Sequence, residues 1–300
     1  MSRKTGITIG IPVYNEESNI AFLIQDLLHQ KQENIYLEKI IIFSDGSTDK
    51  TVEEARKQGP SVEVIDSLNR QGIAYGLNYI CHFSFSSILV LLNGDIRISD
   101  QFFLEKLAKP IFNQAADLTS CPILEKPATS FLEKILRTSM LFKQEIFDNY
   151  RLGHNVYTCH GPARAFSYNL YKEIKFLFSA GEDAYSYLYC LYHSFKYFYV
   201  KDTFVEYRLP DNFKDHQKQS LRFYQSKKML EKVFGREFIK NEYSLPFSLK
   251  LQTFLSSFSR YPFDLSFYAS ISIFLKIRAF FVKEIPDVWE IAKSSKVLNQ

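Results

Sequence analysis

The chain has 300 residues, 46% of them hydrophobic, and a formal net charge of +4. That length buries a sizeable core as one large domain or two smaller units, and so mild a charge, without RNP, zinc-finger or Cys/His spacing, argues against nucleic acid as a partner. Cys81, Cys121, Cys159 and Cys190 lie far apart with no CxxC pair, which argues against a zinc knuckle or a thioredoxin-like site and for reduced, buried thiols.

Met1-Ser2-Arg3-Lys4-Thr5-Gly6 runs straight into a strand and has no apolar signal segment, so the expectation is a cytoplasmic protein. Residues 7–13 read as a first strand with Pro12 at its end, since proline cannot donate to a ladder. A loop from Tyr14 to Asn19 leads into a helix with Leu23, Leu27 and Leu28 on its apolar side. Residues 38–43 form a second strand, stopped by Ser44-Asp45-Gly46-Ser47-Thr48-Asp49, where Ser47 or Thr48 can cap the next helix. Residues 62–66 make a third strand, and the stretch from Asn69 to Asn78 opens a third helix with Gly72 near its start.

The run Ile88-Leu89-Val90-Leu91-Leu92 is apolar throughout, which fits a strand buried on both faces. It ends in Asn93-Gly94-Asp95. A carboxylate behind a glycine at the carboxyl end of such a strand suits a cation and the phosphates it carries; an ordinary turn is the alternative. Strands alternating with helices indicate βαβ crossovers, a largely parallel sheet and polar loops along one edge.

Beyond residue 116 the rhythm loosens. Residues 116–123 read as a strand, 129–149 as a long helix, and 156–166 as a strand broken at Gly161-Pro162. A helix starts near Gly181-Glu182-Asp183 and runs to about His193, residues 195–208 read as strand, turn and strand, and 212–234 form a helix rich in lysine. The aromatic segments after Lys240 contain Asp264, Lys276 and Arg278 within the one longest apolar stretch, too many charges for a spanning helix of about 20 apolar residues. Phe, Tyr, Leu and Ile with flanking Lys and Arg suit helices lying in a bilayer interface, and packing on the first domain is the alternative.

These motifs, in this order, resemble the family 2 glycosyltransferases. The resemblance implies an α/β GT-A fold, a Rossmann-like, mostly parallel sheet flanked by helices over residues 1–240; by its own composition the stretch 241–300 is a helical extension, either membrane-interfacial or packed on the first domain. Pro12, Val13, Tyr14 and Glu16 match the opening loop of the nucleotide-sugar site, Asp45 the acid that meets base or ribose, and Gly72 and Asn78 the helix start near the diphosphate. Asn93, Gly94 and Asp95 stand at the Asp-x-Asp position, so Asp95, with Asn93 offering a carbonyl oxygen but no charge, would hold Mn²⁺ or Mg²⁺. Asp183 matches the general base, and Glu182 beside it would orient the acceptor or cap the helix. Gly161 falls in the acceptor-side loop. Gln219 and Arg222 match a Gln-x-x-Arg-Trp element in which Phe223 replaces tryptophan.

The implied reaction is an inverting transfer from a nucleoside-diphosphate sugar, UDP-sugars favoured, to a hydroxyl of a glycan or lipid-linked acceptor; a lipid-linked acceptor at the inner face of a membrane goes with the interfacial reading of the extension. Arg164 could contact phosphate or form a surface ion pair. His216 could reach the metal or lie exposed in its basic helix, and Cys159 beside His160 is better read as a buried thiol than as a nucleophile. Rival readings are a nucleotide-sugar-binding module without turnover, suggested by Asn93 and Ser44, and a sugar nucleotidyltransferase. The latter wants a basic glycine-rich loop after the first strand, where Tyr14-Asn15-Glu16-Glu17 is acidic. An aspartyl phosphatase lacks its first aspartate at Ser44.

Overall fold

Runs of branched apolar residues set the frame. In the computed structural model, which describes residues 4–281, 293–296 and 298, they form β1 (Thr5–Val13), β2 (Ile35–Asp45), β3 (Val62–Ser67) and β4 (Ile88–Leu92). Between them lie α1 (Ile20–Leu28), α2 (Thr51–Arg56) and α3 (Ile73–Phe83). The four strands pair in parallel in the order β3-β2-β1-β4. Side chains alternate across them: Ile40, Ile42, Val90 and Leu92 pack on one face with Leu23 and Leu27, and Ile41, Phe43, Leu89 and Leu91 on the other with Leu77 and Ile80.

The second half adds α4 (Phe103–Phe112), β5 (Leu118–Ser120), β6 (Ile123–Glu125), α5 (Phe131–Asn149), β7 (Ala163–Ser167), α6 (Tyr168–Glu173) and α7 (Glu182–Tyr192). It continues with β8 (Tyr197–Tyr199), β9 (Val205–Tyr207), α8 (Phe213–Phe234) and α9 (Arg236–Glu242). β7 runs antiparallel between β4 and β5, and β8 completes a seven-stranded sheet, β3-β2-β1-β4-β7-β5-β8. This is the expected mostly parallel α/β architecture.

Four local expectations are corrected. The strand read over 116–123 splits into β5, in the main sheet, and β6, which pairs with β9 alone, because Pro122 between them has no N–H for a ladder. Of 156–166 only Ala163–Ser167 is strand; before it Asn155 accepts from the Tyr157 N–H at 3.0 Å and Thr158 donates to the Asn155 carbonyl at 2.9 Å, which folds the chain into turns. Leu28 is exposed rather than on the apolar side of α1. Neither Ser47 nor Thr48 caps α2: Asp49 accepts from the Thr51 N–H at 3.0 Å, and Ser47 and Thr48 bond to Asn15 instead.

Two further helices, α10 (Phe247–Arg260) and α11 (Pro262–Phe281), supply the helical extension. α11 packs on α5 and α8: Ile271 and Leu275 meet Ile135, Thr138 donates to Asp264 at 2.9 Å, and Phe274 meets Phe213. α10 lies against α5 with Phe254 near Phe142. Among the described residues no helix is long and apolar enough to cross a membrane. Residues 1–3, 282–292, 297, 299 and 300, where the N-terminal reading and part of the 241–300 extension fall, lie outside the described residues.

Candidate active site

The carboxyl ends of β1, β2 and β4 open into a cleft of about 350 Å³. Pro12, Val13, Tyr14 and Glu16 reach it from β1, Asp45 from β2, Gly72 from the turn before α3, and Asn93, Gly94 and Asp95 from β4. Glu182 and Asp183 at the start of α7, with Gln219 and Arg222 of α8, form a second wall, and Phe223 also lines it. Asn78, Gly161 and Arg164 are not in the lining.

At one end the loops are tied by hydrogen bonds. The Thr48 N–H donates to the Asn15 side chain at 2.8 Å and the Asn15 N–H to Ser47 at 3.1 Å. Buried Asp45 accepts from the Gln71 N–H at 2.6 Å and from the Gly72 N–H at 3.0 Å, so its carboxylate shapes the turn before α3. The Arg70 guanidinium lies 3.7 Å from the Tyr14 ring centroid, a cation–π stack at the cleft edge.

The β4 turn demands its glycine. A Cβ on Gly94 would stand 2.9 Å from Cγ of Glu16 and from Cγ1 of Val13, well inside contact distance. Glu16 is thus packed on this turn, and burial first, then the Asp95 charge, pushes its carboxyl up to about 7 against the pull of Lys296. Asp95 and Asn93 are hard oxygen donors on one wall, and no group of three or more His, Cys, Asp or Glu among the described residues could hold a metal by itself. This donor set fits Mn²⁺ or Mg²⁺ when phosphate oxygens and water complete the shell.

α7 begins at Gly181, whose left-handed φ of 73° and whose missing Cβ, which would lie 2.7 Å from Ser226, seat the turn against α8. Burial and the neighbouring Asp183 raise the Glu182 carboxyl, and Arg164 partly offsets them. Arg164 is neither a phosphate contact nor part of a surface ion pair. It is 1% exposed, and its guanidinium donates to the Glu182 carbonyl at 2.9 Å and to Ser186 at 2.7 Å, so it braces the first turn of α7 from behind. Gly161 is packed behind the same turn: a Cβ there would sit 3.3 Å from Oε1 of Glu182. Asn78 is spent outside the cleft, donating to the Phe176 carbonyl at 2.8 Å and accepting from its N–H at 2.9 Å.

Cys159 is buried and its thiol pushed up to about 12, as a structural cysteine should be. His216 is not exposed: burial, then Lys143, pulls it down to about 4, and it lies 3.5 Å from the Ser220 hydroxyl, outside the cleft lining.

The cleft has further residues that the motifs did not single out. Ser295 and Lys296 line it from a short segment laid across the opening. Asp215 accepts from the Ser294 N–H at 3.0 Å and its hydroxyl at 2.9 Å, Asn19 donates to the Lys296 carbonyl, and Lys126 donates to the Leu298 carbonyl at 2.6 Å. The Lys296 ammonium donates to the Tyr14 carbonyl at 2.5 Å and pairs with Glu16. About 280 residues separate these partners, and nothing local in the sequence announces the contact. Arg70 was closer to view, two residues before Gly72.

The family model described as Glycosyl transferase family 2 matches residues 8–175. A 4,4'-diaponeurosporenoate glycosyltransferase of Staphylococcus haemolyticus is 28% identical over 112 residues, 36% of this chain and 29% of that protein. The uncharacterized glycosyltransferase YkcC of Bacillus subtilis is 27% identical over 115 residues, 36% of this chain and 35% of its own length. The chain thus spans about a third of these curated relatives. Among solved structures, the mannosyltransferase PcManGT from Pyrobaculum calidifontis, in complex with GDP-Man and Mn²⁺, superposes with a TM-score of 0.66 at 13% identity, over 94% of this chain and 89% of that one. S. aureus TarS 1-349, in complex with UDP, gives 0.56 at 17% identity over 85% and 71%. At such identities these structures speak for the fold, while the family match covers more than half of the chain. With that match set beside the strand-end motifs gathered in one cleft, the chain belongs to glycosyl transferase family 2.

Proposed function

We propose that the cleft transfers a sugar from a nucleoside-diphosphate sugar, UDP-sugars first, to an acceptor hydroxyl in a single displacement that inverts the anomeric centre. One observation carries the reading: Asp45, Asp95 and Asp183, from loops far apart in the chain, face one cavity of about 350 Å³. Tyr14, Arg70 and Asp45 bind the nucleoside end. Asp95 and Asn93 hold a divalent cation, which when bound neutralises charge on the departing diphosphate. Asp183, which lines the same cleft as Asp95, takes the proton of the attacking hydroxyl, and Glu182 orients the acceptor. The ligands named for the two solved structures above, GDP-Man with Mn²⁺ and UDP, support the same donor class.

The acceptor side favours a lipid surface. α10 is turned inside out: Thr253 and Ser257 are its buried residues, whereas Phe247, Leu251, Phe254, Leu255 and Phe258 are exposed. Phe263, 86% exposed, and Phe280, 84%, add apolar surface near the two ends of α11, among exposed Lys250, Arg260, Lys276 and Arg278. Apolar rings between cations are what an anionic bilayer interface accepts. These exposed rings and cations support a lipid-linked acceptor at a membrane surface, in keeping with the diaponeurosporenoate named for curated relatives.

The test is nucleoside diphosphate release from a panel of UDP- and GDP-sugars with Mn²⁺ or Mg²⁺. Asp183→Asn is expected to lower turnover by on the order of 100-fold or more while donor binding stays within about threefold. Full turnover in that variant removes Asp183 as the base, and an inert wild type that still binds donor favours the binding-module reading.

A further inference from the structure

Besides Arg70, the pocket carries a cation from far along the chain that the family motifs do not account for. Lys296 comes in on the short segment Lys293–Lys296, and its side chain, 19% exposed, remains open to the cleft. Its ammonium is caged by oxygens of the β1 loop: the Tyr14 carbonyl at 2.5 Å, the Asn15 carbonyl at 3.5 Å and the Glu16 carboxylate. Glu16 in turn is packed against Gly94, the residue before Asp95. The positive charge is therefore held at the junction of the nucleoside loop and the β4 turn, where a diphosphate bridging the two must lie.

The seat is built on several anchors. Ser294 is bound to Asp215 on α8, the Lys296 carbonyl and the Leu298 N–H to Asn19 before α1, and the Leu298 carbonyl to Lys126. Ser295, Leu298 and Asn19 are buried. Anchors on both walls of the cleft fix the lysine where a flexible tail would leave it free, so part of the ordering entropy is spent before any ligand arrives. The electrostatic need is also specific. A nucleoside diphosphate brings two or more negative charges, and Asn93-Gly94-Asp95 offers a cation one carboxylate only.

We propose that Lys296 is a donor-binding residue of this cleft, its ammonium holding the Tyr14–Glu16 loop and presenting a fixed positive charge to the donor diphosphate beside Asp95. The assignment rests on the glycosyltransferase reading above and extends it: part of the charge compensation comes from the chain itself and persists without metal. Lysine suits the place, since a compact ammonium can satisfy two carbonyls and a carboxylate and still be shared with phosphate as a point charge.

UDP and GDP are the probes, titrated calorimetrically into the full chain in EDTA and again with Mn²⁺. In EDTA, Lys296→Gln is expected to weaken binding by about tenfold and Lys296→Arg by much less, the size of one partly exposed charge-assisted contact. Excess nucleotide in EDTA is expected to slow acetylation of Lys296 in the wild type, read by peptide mass spectrometry. Unchanged or tighter binding by Lys296→Gln overturns the assignment, tighter binding showing that the segment blocks the donor. So does recovery in Glu16→Gln/Lys296→Gln, which would reduce the lysine to a neutraliser of Glu16. If Lys296→Gln fails to fold, the acetylation rate decides, and nucleotide that leaves Lys296 equally reactive overturns the proposal. A wild type that binds neither nucleotide, with or without Mn²⁺, sinks the donor-site reading together with it; retained wild-type binding with an unaffected variant sinks this assignment alone.

Discussion

Asn93 is the residue whose chemistry departs most from what its place suggests. It brings a carbonyl oxygen where an acid would bring a charge, and Gly94 behind it is locked by Glu16 and Val13, so the turn itself has no freedom to change. Asn93→Asp is therefore expected to leave the fold intact and to tighten Mn²⁺ binding in the presence of UDP by roughly tenfold, read by calorimetry or by paramagnetic line broadening. An affinity that does not move would show that residue 93 does not face the cation. At this scale the sequence was readable where residue type and chemistry coincide, as with Asp95 and Asp183 in the cleft. It was misleading where burial decides. Arginine is usually exposed, and nothing local says that Arg164 is buried behind α7, or that Asn78 closes on the Phe176 backbone.

Elements show the same division between long and short signals. β4 was legible to the residue because five apolar positions in a row between polar turns admit little else. β5 and β6 were not, since three-residue strands have no period to read and only the sheet they join separates them. α5 owes its start to a capping box: Ser130 accepts from the Glu133 N–H at 3.1 Å, and the Glu133 side chain accepts from Thr129, Ser130 and Arg208. Burial opposes the Glu133 charge, but those hydrogen bonds outweigh it and bring the carboxyl down from 4.5 to about 2. A depressed folded value means that stability is present in full above the unfolded value of about 4.5 and is lost as pH falls towards 2. Glu133→Gln should accordingly cost roughly 1–2 kcal/mol near neutral pH. The gap in melting temperature from wild type is expected to hold steady above about pH 5 and to close between about pH 4.5 and 2. A gap that stays constant through that window would place the origin of the loss elsewhere.

For the molecule as a whole, the exposed face of α10 and α11 predicts association with lipid. Wild type is expected to co-sediment with vesicles containing phosphatidylglycerol, less so at high salt, and Phe263→Ser/Phe280→Ser to lose at least tenfold in partition, since each buried ring is worth on the order of 1.5–3 kcal/mol. Wild type that stays in the supernatant at low salt would detach the acceptor from the membrane. The cleft also takes a residue from far along the chain, since the Lys296 ammonium reaches it from a segment that periodicity and motif could not connect to β1. The antiparallel strand β7 has a consequence of a different kind. Parallel strands offer the catalytic edge the loops that follow them, whereas a reversed strand offers the loop that precedes it. The Asn93 N–H donates to the Pro162 carbonyl at 3.1 Å for this reason, and Gly161 arrives behind Glu182 from the opposite direction. The two walls of the cleft are thus threaded from separate stretches of chain. Changes in the turns before α7 and α8 can therefore reshape the wall that carries Glu182, Asp183, Gln219 and Arg222 without shifting the register of β1 to β4.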